Sequence, residues 1–218
     1  MDDNDKRNPR QVSETEGLED WRVLLQTLQS SFRTGSMAKG LEFATRVGAA
    51  ADAADHHPDF TITYPRVRVS LTTHEAKGLS VRDIDLARTI SSIAAEMGIA
   101  ANPTDVTTLE VAIDAMDIPR VKAFWEAVLG YKNTSDDDCQ DPFGRGPSFW
   151  FQQMDEPRPQ RNRIHFDVIV AHDLAADRIA AALAAGGTLV SDAAAPAFWI
   201  LADPEGNEAC ICTWQGRY

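Results

Sequence analysis

The stretch Asp52-Ala-Ala-Asp-His-His-Pro58 lies where the periodicity of the sequence changes. Before it, apolar residues recur at spacings of three and four, which predicts an amphipathic helix over residues 37–55 with Ser36 as its N-cap. The proline ends this helix. Residues 60–64 and 66–74 then alternate between apolar and polar side chains, as half-buried strands do. The histidine pair is therefore predicted to lie between a helix and a strand.

The elements on either side make the first half a mixture of helices and strands. Residues 21–27 and 28–34 are predicted as two short strands. Ser80-Val-Arg-Asp83 has the form of a capping box, which predicts a second helix that begins there and ends at Gly98. Side chains on the polar face of the strand that ends at His74 do not pack in the core, so they are available for binding or catalysis.

The second half repeats one unit. Residues 109–115 predict a strand, and a helix follows over residues 119–129 with Asp117 as its cap. Residues 164–170 predict another strand, followed by a helix that Asp173 caps. The pattern is typical of a strand-helix-strands unit used twice.

These patterns divide the chain into four segments. Residues 1–17 are polar and mixed in charge, which predicts a disordered tail and not a signal peptide. Residues 18–98 form the first predicted domain. Residues 99–106 are predicted as a linker because turn residues cluster there, and residues 107–218 form the second domain.

The composition excludes several classes of partner. The 218 residues include 21 Lys and Arg against 33 Asp and Glu, a formal net charge of −12, whereas nucleic-acid binding needs a clustered excess of basic residues. No apolar stretch is long enough to span a bilayer, and an acidic protein is not attracted to anionic lipid. The three cysteines form no disulfide framework, which predicts a cytoplasmic protein. Cys210 and Cys212 alternate with Ile211, which favours one face of a strand over a zinc ligand pair.

Several residues around the histidine pair follow one pattern: an acidic residue four positions earlier, then an aromatic residue, a Thr-His pair, a Gly-Leu pair and an aspartate. They are Asp52, His56-His57-Pro58, Tyr64, Thr73-His74, Gly78-Leu79 and Asp83. With this pattern, residues 18–98 resemble the pterin-4a-carbinolamine dehydratase family. The resemblance implies an α+β domain with helices packed on one side of an antiparallel sheet, and a pterin pocket around the histidines.

The residue types suit the reaction that the resemblance implies. Removing water from a 4a-hydroxytetrahydropterin requires a proton for the departing hydroxyl and the loss of a proton from ring nitrogen N5. Imidazole serves as acid and as base near neutral pH, so no cofactor is required. We expect His56 and His74 to transfer protons and His57 to orient the pterin. Asp52 lies one helical turn before His56 and is expected to fix the tautomer of that ring.

Other interpretations of these residues stay open. Three imidazoles also suit zinc, although adjacent histidines are poorly placed for one ion. Asp83 fits the role of a capping-box carboxylate as well as that of a site residue. Asp55, Thr72 and Thr73 flank the histidines and are expected to bind substrate, with a solvated loop as the alternative. Asp52 stands where the family commonly has glutamate, which shortens its reach to the histidines.

The second half carries a different set of motifs, which lie in residues 113–117, 124–125, 129–131, 151–153, 162–167 and 202–208. With these motifs, residues 107–213 resemble a glyoxalase-like domain of the vicinal-oxygen-chelate superfamily. The resemblance implies a curved sheet built from two βαβββ modules, with a ligand in the concavity and often a divalent ion.

The metal positions of that superfamily map incompletely onto this chain. They correspond to His165 and Glu208, with Glu110 as a further candidate, although aligning the two modules by their helices places Leu109 there instead. The fourth position falls near Gln152 or the next residue, also a glutamine, and an amide is a weak ligand. A metal-free pocket for a small molecule is therefore the favoured alternative to a metal site.

The resemblance of the first half implies an enzyme that recycles a pterin cofactor for an aromatic amino-acid hydroxylase or a related oxygenase, with a second, small-molecule-binding glyoxalase-like domain. A non-catalytic pterin- or protein-binding module is the first alternative. The second is a metal-dependent lyase, isomerase or dioxygenase that acts through the second half. Both resemblances imply association of subunits, most simply as a homodimer.

Overall fold

The computed structural model describes residues 5–158, 160, 162 and 164–216. The chain divides into two compact units, with the boundary between Thr108 and Leu109. Each unit combines helices with a sheet or sheets, which confirms the predicted α+β class. Within the described residues, none of the helices combines the length and the apolar character needed to cross a membrane.

The first unit contains short elements at its start and longer ones around the histidines. In chain order they are β1 (Lys6–Arg7), α1 (Pro9–Ser13), β2 (Arg22–Leu24), β3 (Thr27–Arg33), α2 (Met37–Ala54), β4 (Asp59–Thr63), β5 (Arg66–Leu71), β6 (Leu79–Ser80), α3 (Val81–Glu96) and β7 (Ala100–Ala101). The main sheet has the antiparallel order β2-β3-β5-β4, with β7 paired to β3, and β1 pairs with β6 separately.

The helices of this unit cover one face of the main sheet. Val67 and Val69 of β5 are buried, whereas Arg66 and Arg68, which alternate with them, are exposed, so only one face of this strand adjoins the core. The buried residues of α2 and α3 belong to the same apolar cluster as this face. At about 25 cal/mol per Å² of apolar area, such burial is the main force that fixes the helices on the sheet.

The N-terminal segment departs from its prediction as a disordered tail. It is described from residue 5 onward and forms β1 and α1, and Asn8 caps α1 through a capping box with Gln11. Val12 is fully buried in the core of the unit. The disorder prediction is wrong for this part of the segment, because one apolar side chain and a capping box anchor a polar sequence.

Residues 99–106, predicted as a linker, pack on the first unit. Ile99 is buried in its core, β7 extends its sheet, and the backbone N–H of Asn102 donates to the carbonyl of Ser31 at 2.6 Å. A short 3₁₀ helix, Pro103–Asp105, follows.

The second unit consists of two similar modules. In chain order its elements are β8 (Glu110–Ala115), α4 (Ile118–Leu129), β9 (Lys132–Asn133), β10 (Asp138–Gln140), β11 (Ser148–Gln153), β12 (Phe166–Ile169), α5 (Ala175–Ala184), β13 (Thr188–Ser191), β14 (Phe198–Ala202) and β15 (Glu208–Cys212). The sheets have the orders β8-β11-β10-β9 and β12-β15-β14-β13. In both, the first strand pairs in parallel with the last, so the predicted βαβββ unit occurs twice.

The two helices of the second unit begin differently. Asp117 caps α4 as predicted, because its side chain accepts from the backbone N–H of Arg120. The same prediction for Asp173 is wrong. Asp173 lies inside a 3₁₀ helix, His172–Leu174, and α5 begins after Leu174 without a side-chain cap.

Candidate functional site

The buried pair of His56 and Asp83 is the centre of the candidate site. Nε2 of His56 lies 2.8 Å from Oδ1 of Asp83, and the exposed fractions of these residues are 6% and 0%. An ionised carboxylate only accepts hydrogen bonds, so this contact assigns the Nε2 proton to the imidazole and leaves Nδ1 as the second ring nitrogen for exchange. Asp83 thus fixes the tautomer of His56.

The other oxygen of Asp83 organises the start of α3. Oδ2 accepts from the backbone N–H of Ser80 and from the hydroxyl of Thr73, both at 2.7 Å. The hydroxyls of Thr73 and Ser80 are also 2.7 Å apart. The capping box predicted for Asp83 is present, and the same carboxylate also contacts His56.

The end of α2 explains why His56 and His57 diverge. Asp55 adopts the left-handed conformation, with φ of 47°, and the backbone N–H of His56 donates back to the carbonyl of Ala51 at 3.1 Å. This is the arrangement of a Schellman cap, which turns the chain away from the helix axis. His56 is buried after the turn, and His57 is exposed.

The same turn overturns the predicted partner of Asp52. Its Oδ1 lies 3.1 Å from Nε2 of His57, not from His56, and both side chains are largely exposed. The helical spacing of four residues does not apply because the helix ends at Ala54, before His56 is reached. The prediction that Asp52 fixes the tautomer of His56 is therefore wrong, and Asp83 occupies that position.

His74 reaches the same region through Thr73. It is the exposed residue that directly follows Thr73, and it begins a short 3₁₀ helix, His74–Ala76. The next residue, Glu75, has its pKa held below the ordinary value, first by a hydrogen bond from its own backbone N–H and then by the charges of Arg82, His74 and His56. His74 thus follows, in the chain, the residue that donates to the carboxylate in contact with His56.

The remaining predicted substrate-binding residues have backbone partners. The hydroxyl of Thr72 donates to the carbonyls of Gln26 and Gly78 at 3.0 and 3.2 Å. The carbonyl of Asp55 accepts from the guanidinium of Arg82. Arg82 adds a cation to this site that no sequence motif identifies. The sequence indicates it only through its position as the second residue of α3.

The second unit holds two further features. A cavity of about 1160 Å³ is lined in part by Asp114, Arg120, Arg158 and Phe166. Separately, one ligand atom from each of His165, Asp167 and Cys210 lies within 4.8 Å of the others. Burial is the main cause that raises the pKa of the Cys210 thiol to about 11, and the Asp167 carboxylate adds to it. A thiol in this state is a poor nucleophile.

Comparisons with known proteins agree with the division into two units. The family model described as pterin 4 alpha carbinolamine dehydratase matches residues 5–93, and the one described as glyoxalase-like domain matches residues 110–212. A protein of Cyanothece sp. (strain PCC 7425 / ATCC 29141), named "Putative pterin-4-alpha-carbinolamine dehydratase", is 39% identical over 77 residues, which are 35% of this chain and 79% of the relative. The chain belongs to the pterin-4a-carbinolamine dehydratase family.

Other similar proteins cover one unit each. A protein of Aquifex aeolicus (strain VF5) with the same printed name is 36% identical over 38% of this chain and 85% of its own length. A crystal structure titled transcriptional coactivator/pterin dehydratase from Brucella melitensis is 26% identical, with a TM-score of 0.38, over 41% of this chain and 98% of its own. A glyoxalase/bleomycin resistance protein from Albidiferax ferrireducens T118 is 20% identical, with a TM-score of 0.39, over 48% and 95%.

In the described part of the glyoxalase-like unit, His165, Glu208 and Glu110 do not form one group of converging ligand atoms. Glu110 lies in the first sheet, where its carboxylate accepts from the hydroxyl of Ser148 at 2.9 Å. His165 directly precedes β12, and Glu208 begins β15. Among the described residues, the ligand atoms that converge with those of His165 belong to Asp167 and Cys210, not to either glutamate.

Proposed function

We propose that the first unit dehydrates 4a-hydroxytetrahydropterins to quinonoid dihydropterins. The observation that carries this proposal is the buried contact between His56 and Asp83, linked through Thr73 to the exposed His74. The network thus connects two histidine residues whose imidazoles differ in environment, because His56 is buried and His74 is exposed. Dehydration needs two proton transfers, and two such imidazoles are suited to supply them.

The roles follow from the partners of each histidine. His56 is held in one tautomer by Asp83, so its second ring nitrogen faces a defined proton-transfer partner once substrate is bound. His74 is exposed and exchanges protons with water, so it resets between turnovers. We assign proton transfer at the departing hydroxyl and at N5 to this pair. His57, exposed and paired with Asp52, orients the pterin.

The site needs no cofactor for this chemistry. The developing charge is delocalised over the pterin ring, and the histidines supply the proton transfers. The product is a quinonoid dihydropterin, which places the reaction in the recycling of a pterin cofactor after a hydroxylation. An aromatic amino-acid hydroxylase is the class of enzyme that generates such a substrate.

Turnover of a 4a-hydroxytetrahydropterin by the purified full chain tests the proposal. We expect His56→Ala and His74→Ala each to lower turnover by about a hundredfold or more, the scale of lost general acid-base catalysis. His172→Ala is the matched control, because His172 is an exposed histidine of the other unit. A wild-type chain that gives no rate above the uncatalysed reaction, or a His56→Ala variant with wild-type turnover, would show the proposal to be wrong.

A further inference from the structure

His165, Asp167 and Cys210 come together at the parallel pair of β12 and β15. Asp167 lies directly opposite Cys210 in the strand register. Nε2 of His165 is 3.5 Å from Oδ1 of Asp167. The side chains of His165 and Asp167 are about half exposed, at 52% and 44%, whereas Cys210 is buried. The three groups therefore form a small polar cluster with one buried end and one end open to water.

His165, Asp167 and Cys210 are not among the described residues that line the cavity of the unit. Side chains alternate between the two faces of a strand. Phe166 lines the cavity and, with Val168, packs against the apolar core. Asp167 lies between them and so belongs to the opposite face of β12. Asp167 therefore does not pack with Phe166 and Val168 in the core.

We propose that His165, Asp167 and Cys210 bind one divalent ion of the zinc class, with a fourth coordination position left for water or a small ligand. An imidazole, a carboxylate and a thiolate are all ligands that zinc accepts. The thiolate argues against magnesium, calcium and manganese, which prefer oxygen ligands. Three protein ligands with one open position are the arrangement of reactive, and not purely structural, zinc centres.

The distances are close to those that one ion requires. Bonds of about 2.0–2.3 Å in a tetrahedron place ligand atoms roughly 3.5 Å apart. His165 and Asp167 already have this spacing, and all three ligand atoms lie within 4.8 Å of one another. On binding, the half-exposed side chains of His165 and Asp167 are expected to move towards Cys210, which lies in β15. The ion displaces the thiol proton to water on binding.

Cobalt binding to the metal-free full chain tests this ligand set directly. The protein is stripped with a chelator under reducing conditions and then titrated with Co²⁺. We expect one equivalent to bind with a thiolate-to-cobalt charge-transfer band in the near ultraviolet and with the strong visible absorption of tetrahedral cobalt. Added Zn²⁺ is expected to abolish both. A wild-type chain that shows no charge-transfer band at stoichiometric Co²⁺ overturns the proposal.

Variants of the three ligands identify the source of the band. Cys210→Ser is expected to lose the charge-transfer band. Asp167→Asn and His165→Gln are expected to weaken Zn²⁺ binding, measured by competition with a chromophoric chelator, by about tenfold or more. These two side chains are exposed, so the variants test the site even where the buried Cys210→Ser does not fold. Wild-type affinity in both exposed variants contradicts the proposal.

Matched controls separate this site from its rivals. Cys212→Ser changes a second buried thiol of the same strand, and Cys139→Ala changes a buried thiol of the other sheet. Glu208→Gln and Glu110→Gln change the positions that the superfamily implies. We expect all four to keep the charge-transfer band. Loss of the band in Cys212→Ser with its retention in Cys210→Ser would assign the thiolate elsewhere and overturn the proposal.

Discussion

Oδ1 of Asp83 lies 2.8 Å from Nε2 of His56, while Oδ2 of the same carboxylate accepts the backbone N–H of Ser80 at the start of α3. One buried side chain therefore fixes both a helix terminus and the orientation of an imidazole. The network ties the position of the ring to the rigid part of the fold, which is how a proton-transfer group keeps a defined geometry.

The first prediction concerns this double role. Asp83→Asn removes the charge of the buried carboxylate and leaves one acceptor oxygen where His56 and the start of α3 now share two. We expect dehydratase turnover to fall roughly tenfold or more, a part of what positioned proton transfer contributes. Loss of charge-assisted hydrogen bonds is also expected to cost about 1–3 kcal/mol of stability. The measurements are turnover and urea unfolding of the same preparation.

Ser36→Ala is the control that separates the two effects. Ser36 caps α2 by accepting from the backbone N–H of Lys39, and its loss is expected to cost about 1 kcal/mol. Because it lies at the other end of α2 from the histidines, turnover should stay at the wild-type level. Equal losses of activity in Ser36→Ala and Asp83→Asn would mean that Asp83 acts only through stability.

The second prediction concerns Asp52, which the sequence pairs with His56 and the structure pairs with His57. Asp52 pairs with exposed His57, with side-chain exposures of 80% and 61%, and such exposed pairs contribute little. We expect Asp52→Asn to change the KM for the pterin more than kcat, because His57 is assigned to orientation. Asp83→Asn should instead lower kcat. Steady-state kinetics on both variants decides, and a larger kcat loss in Asp52→Asn would contradict the assignment.

The contrast between these two aspartates shows what the sequence could predict. Periodicity placed the histidines at the end of a helix, and the capping-box pattern placed Asp83 at the start of another. Neither pattern predicts that Asp55 adopts the left-handed conformation, because that conformation depends on one backbone torsion. The partner of His56 depends on this turn, so helical spacing points to Asp52, whereas the folded chain brings Asp83 into contact with the ring.

The cluster of His165, Asp167 and Cys210 could not be predicted from the sequence for a related reason. Family positions map onto single residues, whereas a metal site depends on which side chains share one face of paired strands. The parallel register sets Asp167 opposite Cys210, and a shift of one residue would have exchanged the faces. The alternation around Ile211 predicts a strand at Cys210, which β15 confirms, but the spacing of motifs carries no information on its neighbour on β12.

The third prediction concerns alkaline stability of the second unit. Burial is the largest cause that raises the pKa of the Cys139 thiol to about 12, compared with about 8.5 in an unfolded chain. Between these values the unfolded chain has lost a proton that the native chain keeps. The contribution of the Cys139 thiol to the stability of the folded state is therefore fully present below about pH 8.5. As pH rises above this value, the free energy of unfolding falls by up to about 1.4 kcal/mol per pH unit.

Cys139→Ala removes this contribution, so its free energy of unfolding should depend on pH less steeply by about one proton. Urea unfolding at several pH values above 8.5, followed by tryptophan fluorescence, measures the slope. Four of the five tryptophans, Trp125, Trp150, Trp199 and Trp214, lie in this unit. Equal slopes for the variant and the wild type would show that Cys139 titrates normally.

The last prediction separates the two units chemically. Dehydration by His56 and His74 needs proton transfers and no Lewis acid, so a strong chelator should leave turnover of the 4a-hydroxytetrahydropterin unchanged. The same treatment should remove any ion from His165, Asp167 and Cys210, which elemental analysis follows. If turnover disappears with the metal and returns with added zinc, the histidines of the first unit are metal ligands and their assignment as proton-transfer groups is wrong. Unchanged turnover in a fully stripped protein supports that assignment whether or not the second unit binds an ion, because the two outcomes are read by different measurements.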